Sequence, residues 1–187
     1  MFYDLHTLQN RFYLHTNALA SMHSAVPLII DAVLNGDLGT IDAVAFPDEG
    51  AQKRFGKMFQ HLTNGRLIVC GKKRVGETRK VFIQDGDCKG KRILIVDDIV
   101  KTGGTLAECA KTLKKAGAKA ICAYCTHAGF PSDSARRFCK GGDRNVFEKF
   151  YVTNSNPTAI SRLPDKKIDS TGVFVVLDLL KLFVKDL

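Results

Sequence analysis

A chain of 187 residues with 45% hydrophobic content can bury the core of one ordinary domain, which excludes a disordered chain. The formal net charge of +9, from 28 Lys and Arg against 19 Asp and Glu, points to an anionic partner. The densest basic groups, Lys72 to Arg74 and Lys111 to Lys119, lack the interleaved aromatics of a single-strand nucleic-acid binder, so a small polyphosphate is expected rather than nucleic acid.

In chain order, apolar residues at helical spacing predict a helix over 19–34, stopped by Asn35 and Gly36. IDAVAF (41–46) reads as a strand, Pro47, Asp48, Glu49 and Gly50 as a turn, 51–62 as a second helix and RLIVC (66–70) as the next strand. The polar run GKKRVGETRK has no apolar face and is expected as a loop before the strand KVFIQ (80–84) and the turn DGDCKGK. RILIV (92–96) is apolar throughout, the pattern of a parallel strand buried on both faces. A helix over 105–115 closes at Gly117 and leads to the strand AKAICAYCTH, a loop through Gly129 and Pro131, a helix over 132–139 and the strand FEKFYVTN. Residues 154–167 read as a surface excursion, and VFVVLDLLKLFV as a last strand passing into a helix. Strands alternating with helical stretches predict an α/β fold, a mostly parallel twisted sheet with helices on both faces.

No apolar stretch is long enough to cross a bilayer without interruption by Asp178, Lys181 or Lys185, and 1–10 has no basic start with an apolar middle. A cytoplasmic protein, or one of an organelle matrix, is the expectation, with no membrane partner. The six cysteines of such a chain are expected as free thiols. Cys122 and Cys125 form a CxxC on a strand, where residues three apart point to opposite faces, a poor geometry for shared metal ligation.

The stretch ILIVDDIVKTGGTL (93–106) carries the chemistry. In an open α/β sheet the ligand crevice lies at the carboxyl ends of the strands, where Asp97, Asp98 and Thr102 to Thr105 fall. A Gly-rich turn entering a helix offers backbone N–H groups to an anion, and Thr hydroxyls add donors. Two carboxylates would repel that anion, so their targets are neutral donors such as a cis-diol. Phosphate at one end and diol at the other describe a sugar phosphate. The bland alternative is a polar turn with an ordinary helix cap from Asp98 or Thr102.

VDDIVKTGGTL resembles the phosphoribosyl pyrophosphate motif shared by type I phosphoribosyltransferases and ribose-phosphate diphosphokinases. The resemblance implies that Asp97 and Asp98 grip ribose hydroxyls and that Thr102, Gly103, Gly104 and Thr105 bind the 5-phosphate of ribose 5-phosphate, and the Lys101 side chain is expected beside that phosphate. Lys101 departs from the Asp usual in bacterial members. YDLHTLQNRFY (3–13) is similar to a diphosphokinase signature whose histidine serves a divalent metal, carried over onto His6, and FPDEGAQKRF (46–55) to the segment whose aspartate, here Asp48, is the second metal residue. CGKKRVGE (70–77) is similar to the catalytic Lys-x-Arg loop, carried over onto Lys72 and Arg74, with Gly71 and Gly76 suited to a loop that closes over substrate. THAGF resembles a Thr-His-Gly segment, and His127 is left without a role.

What the resemblance implies is a ribose-phosphate diphosphokinase of the plant type, or its C-terminal half, with Mg2+ and ATP. It would move diphosphate from MgATP to the C1 hydroxyl of ribose 5-phosphate. Residues 1–36 are expected as the remnant of a preceding first domain and its connecting helix, and 37–187 as the phosphoribosyltransferase-like domain. A homo-oligomer, or a partner supplying the first domain, is implied with it. A stand-alone type I phosphoribosyltransferase and a non-catalytic regulatory subunit stay open beside this reading.

Overall fold

The structure, a computed structural model, describes residues 1–15, 17, 19–75, 78–164 and 172–186. Two short strands open the chain, β1 (Phe2–Tyr3) and β2 (Met22–His23), paired in parallel and separated by a 3-10 stretch at Leu8–Tyr13. There follow α1 (Val26–Leu34), β3 (Ala43–Phe46), α2 (Glu49–Phe59), β4 (Leu67–Val75), β5 (Thr78–Asp85) and β6 (Arg92–Val100). The chain continues through α3 (Gly104–Lys115), β7 (Ala120–Ala128), β8 (Lys149–Thr153), α4 (Pro157–Ser161), β9 (Phe174–Leu177) and α5 (Leu180–Asp186). Seven of the strands form one sheet in the order β5-β4-β3-β6-β7-β8-β9, antiparallel only between β4 and β5.

Alternation along β6 distributes the core to both faces of the sheet. Ile93 and Ile95 join α3 residues Leu106, Ala110 and Leu113 and the ring cluster Phe130, Phe138 and Phe150. Leu94 and Val96 join α1 and α2 residues Val26, Ile29, Phe55 and Phe59. Helices therefore cover both faces, as the unbroken apolar run of β6 predicts. Cys122 and Cys125 fall into these two separate clusters, on opposite faces, and all six cysteines are free thiols.

Four local expectations are corrected. The helix expected over 19–34 begins at Val26, because Pro27 has no N–H to give to a helix interior and is tolerated only in the first turn. The second helix starts at Glu49 and ends at Phe59, because the Asp48 carboxylate accepts the Ala51 N–H at 3.1 Å and caps it, so the expected turn is the helix entrance. The polar run after RLIVC is not a loop but the outer part of a β-hairpin, with Lys72 opposite Val81 and Arg74 opposite Arg79. Cross-strand backbone bonds satisfy that ribbon without an apolar face, so no hydrophobic period betrays it. Gly76 of the expected closing loop and residues 165–167 of the surface excursion lie outside the described residues.

The last correction concerns 132–139, which forms a 3-10 stretch (Pro131–Phe138) rather than an α-helix, with left-handed backbone at Phe130, Ser132 and Asp133. Burial of the Phe130 ring against Phe138, Phe150 and Phe174 compensates a conformation that a bulky side chain rarely adopts.

Candidate active site

A cavity of about 660 Å³ opens at the carboxyl ends of β3 and β6. It is lined by His6, Asp48, Lys72, Asp97, Asp98 and the loop Lys101 to Thr105, so residues from four distant stretches of sequence converge there. Arg74, the expected partner of Lys72 in catalysis, does not line it: it lies two positions beyond Lys72 on β4.

Period-two alternation separates the two carboxylates. Asp98 is in phase with Val96 and turns toward α2, where it is buried, accepts a hydrogen bond from His6 Nδ1 at 2.7 Å and pairs with the Arg54 guanidinium. Burial acts to raise the Asp98 carboxyl, but the His6 hydrogen bond and the Arg54 charge outweigh it and hold the group below the usual carboxylate range. Asp97 is in phase with Ile95 on the α3 side. Burial, with the Asp98 charge added, pushes its carboxyl up to about 7. One carboxylate is thus ionised and clamped while its neighbour shares a proton with solvent near neutrality.

Arg54 stands in FPDEGAQKRF, four residues beyond Gly50, as the resemblance requires, but no role was assigned to it from the sequence. With Gly50, Ala51 and Phe55 it forms the face of α2 turned to the cavity, and besides Asp98 its guanidinium donates to the His6 carbonyl oxygen. The signal was present in FPDEGAQKRF: a helix capped at Asp48 returns to the same face at Gly50 and Arg54.

His6 is held in place from behind. Asp4, two residues earlier, is buried and accepts hydrogen bonds from Thr126 Oγ1 at 2.6 Å, Ser24 Oγ at 2.7 Å and Ala25 N at 2.8 Å. The His127 Nε2–H donates to Tyr3 O at 2.8 Å. The residue left without a role therefore pins the strand that precedes His6.

At the other end, Gly103 is the residue before α3 and adopts φ +70°, and no side chain caps the helix. That disposes of Asp98 or Thr102 as an ordinary cap and leaves the first N–H groups of α3 available to an anion. Gly103 is glycine for a second reason: a Cβ there would lie 2.3 Å from Phe138 Cζ. Lys72 Nζ lies 3.4 Å from Asp48 Oδ2, which brings a cation from β4 into the cavity beside the cap of α2.

Among the described residues no three His, Cys, Asp or Glu side chains cluster as a metal cage, and no helix is long and apolar enough to cross a membrane. His6 and Asp48 line one cavity, and an imidazole nitrogen with a carboxylate is a donor set that fits a divalent cation.

A mostly parallel sheet with an acidic pair and a helix-entering Gly loop at its carboxyl end defines a phosphoribosyltransferase-type domain. The family model for the phosphoribosyl transferase domain matches residues 21–155, and the chain belongs to that family. It is 39% identical over 180 residues to ribose-phosphate pyrophosphokinase 4 of Oryza sativa subsp. japonica, covering 95% of this chain and 53% of that protein. To the chloroplastic ribose-phosphate pyrophosphokinase 3 of Arabidopsis thaliana it is 40% identical, covering 88% of this chain and 40% of the relative. Among solved structures, phosphoribosylpyrophosphate synthetase from Mycobacterium smegmatis matches with a TM-score of 0.73 and 25% identity, over 98% of this chain and 55% of that one. The chain spans about half the length of these relatives.

Proposed function

We propose that this chain is the catalytic half of a ribose-phosphate diphosphokinase, transferring diphosphate from MgATP to the C1 hydroxyl of ribose 5-phosphate to give phosphoribosyl pyrophosphate and AMP. The observation that carries the reading is the convergence of His6, Asp48, Lys72, Asp97, Asp98 and the loop 101–105 on one cavity, in a chain whose relatives bear that name.

In this proposal the 5-phosphate rests on the N–H groups of 103–105, with the Thr102 and Thr105 hydroxyls and Lys101 beside it. Asp97 and Asp98 orient the ribose hydroxyls; Asp98, held by Arg54 and His6, accepts from the diol in a fixed direction. Lys72 reaches in from β4 as a compact cation for charge developing on the transferring phosphoryl group. Arg74, as a bidentate fork, requires the β4–β5 hairpin to fold over the cavity, since it does not line it here. His6 and Asp48 would hold Mg2+, which when bound neutralises the phosphate oxygens of ATP. A second subunit or partner chain completes the adenine end of the site, and the cytoplasm or an organelle matrix is the proposed compartment.

The test is AMP and phosphoribosyl pyrophosphate formation by the purified chain with MgATP and ribose 5-phosphate, alone and with a full-length relative, beside calorimetric binding of ribose 5-phosphate. Binding with turnover, alone or on mixing, supports the reading. A chain that binds no ribose 5-phosphate would sink it.

A further inference from the structure

Residues 136–146 lie beside the Gly loop, outside every motif recognised in the sequence. Their path is tightly closed. The Arg144 N–H donates to Arg137 O at 2.8 Å, and the Arg137 guanidinium grips both oxygens of Asp143, drawing that carboxyl down to about 2. Gly142 packs so near that a Cβ would lie 2.3 Å from Arg137 O. The closed turn delivers the Arg144 guanidinium to Thr102 O, to which Nη1 donates. Arg144 Nη2 then lies 3.5 Å from the position of a Cβ on Gly104, and its Cζ is 5.9 Å from the centre of the Phe138 ring, the ring that fills the space at Gly103. Arg144 is not among the residues lining the cavity, so it meets the loop from the back.

We propose that Arg144 is a positioning residue for the anion loop, aiming the Gly103 N–H at the phosphate of the ligand. The proposal rests on the reading of 102–105 as a phosphate cradle. Its physical basis is the planar trans peptide, in which the Thr102 C=O and the Gly103 N–H point in opposite directions. A guanidinium that holds the carbonyl from the back turns the N–H to the front, the side on which Gly103 lines the cavity. The charge-assisted bond also polarises the peptide, which makes that N–H a stronger donor. Without the brace, a peptide next to glycine rotates at little cost and the N–H leaves its aim.

Ribose 5-phosphate and, separately, inorganic phosphate are titrated calorimetrically into wild type, Arg144→Ala, Arg144→Lys and Arg136→Ala, with thermal midpoints measured for all four. Arg136 pairs at 3.8 Å with Asp133 on the same segment and serves as the control. Arg144→Ala weakens ribose 5-phosphate binding about tenfold, the size expected for a charge-assisted bond acting on one donor. Arg144→Lys regains most of the loss, and Arg136→Ala binds like wild type. Wild-type affinity in Arg144→Ala overturns the proposal, and so does a loss shared by Ala and Lys that follows an equal drop in midpoint, which would assign Arg144 to the fold alone. Absence of binding by wild type would instead overturn the reading of the loop itself, and the positioning role with it.

Discussion

Gly103→Ala tests the loop through two separable effects. Gly103 is buried at φ +70°, where an L side chain costs about 1–2 kcal/mol. The added methyl would also stand 2.3 Å from Phe138 Cζ and 2.9 Å from Cε2, inside any real contact distance. Phe138 is fully buried among Phe130, Phe147 and Phe150, so its ring has no free direction in which to yield, and overpacking of this kind costs about 1–3 kcal/mol. Together the expected destabilisation is about 3 kcal/mol, or a drop of roughly 9 °C in Tm for a domain of this size. Urea unfolding measures the total. Repeating the substitution in a Phe138→Leu background separates the parts: the clash is relieved and about 1 kcal/mol of backbone strain remains, a coupling of about 2 kcal/mol. An equal cost in both backgrounds, or a cost under about 0.5 kcal/mol in wild type, would refute the packing argument.

Asp97 holds its proton to about pH 7 in the folded chain, against an ordinary carboxyl near 4 when unfolded. Between those values the folded state binds the extra proton, so this group's contribution is favourable at low pH and the fold loses stability as pH rises from about 4 to about 7. Asp97→Asn should therefore be more stable than wild type by up to about 4 kcal/mol at pH 8 and nearly equal to it at pH 4, by urea unfolding at each pH, while its ribose 5-phosphate affinity falls. An unchanged pH dependence would contradict the burial of Asp97. Asp98→Asn leaves Arg54 and His6 facing a neutral amide and should cost about 2 kcal/mol; combined with Asp97→Asn it should abolish calorimetric binding of ribose 5-phosphate. Lys72→Ala should lower kcat far more than ribose 5-phosphate affinity, because the contact proposed for it is made to the transition state, and equal losses in both would reassign Lys72 to ground-state binding.

The sheet was legible because its central strand is apolar on both faces, so RILIV and its neighbours declare a parallel sheet with helices above and below. The Gly loop was legible because a left-handed residue at the entrance of a helix leaves few choices but glycine. Where periodicity carries no information, in the polar outer part of the β4–β5 hairpin and the strained segment 130–133, the expected loop and α-helix gave way to a hairpin and a 3-10 stretch. Arg54 and Arg144 belong to neither pattern: one reaches the site by the pitch of α2, the other from a closed turn more than forty residues beyond the loop it touches.

The sequence by itself determined the layered α/β architecture, the free thiols and the identity of most groups that converge on one cavity, because hydrophobic period and local backbone demands are written within a few residues. Only the tertiary structure decided that Asp97 and Asp98 differ, one pushed toward neutrality and one clamped by Arg54 and His6, and that Arg144 braces the loop from behind. Those outcomes depend on burial and on charges brought together from distant positions, and a carboxylate acquires its pKa from what surrounds it in space rather than from what adjoins it in the chain.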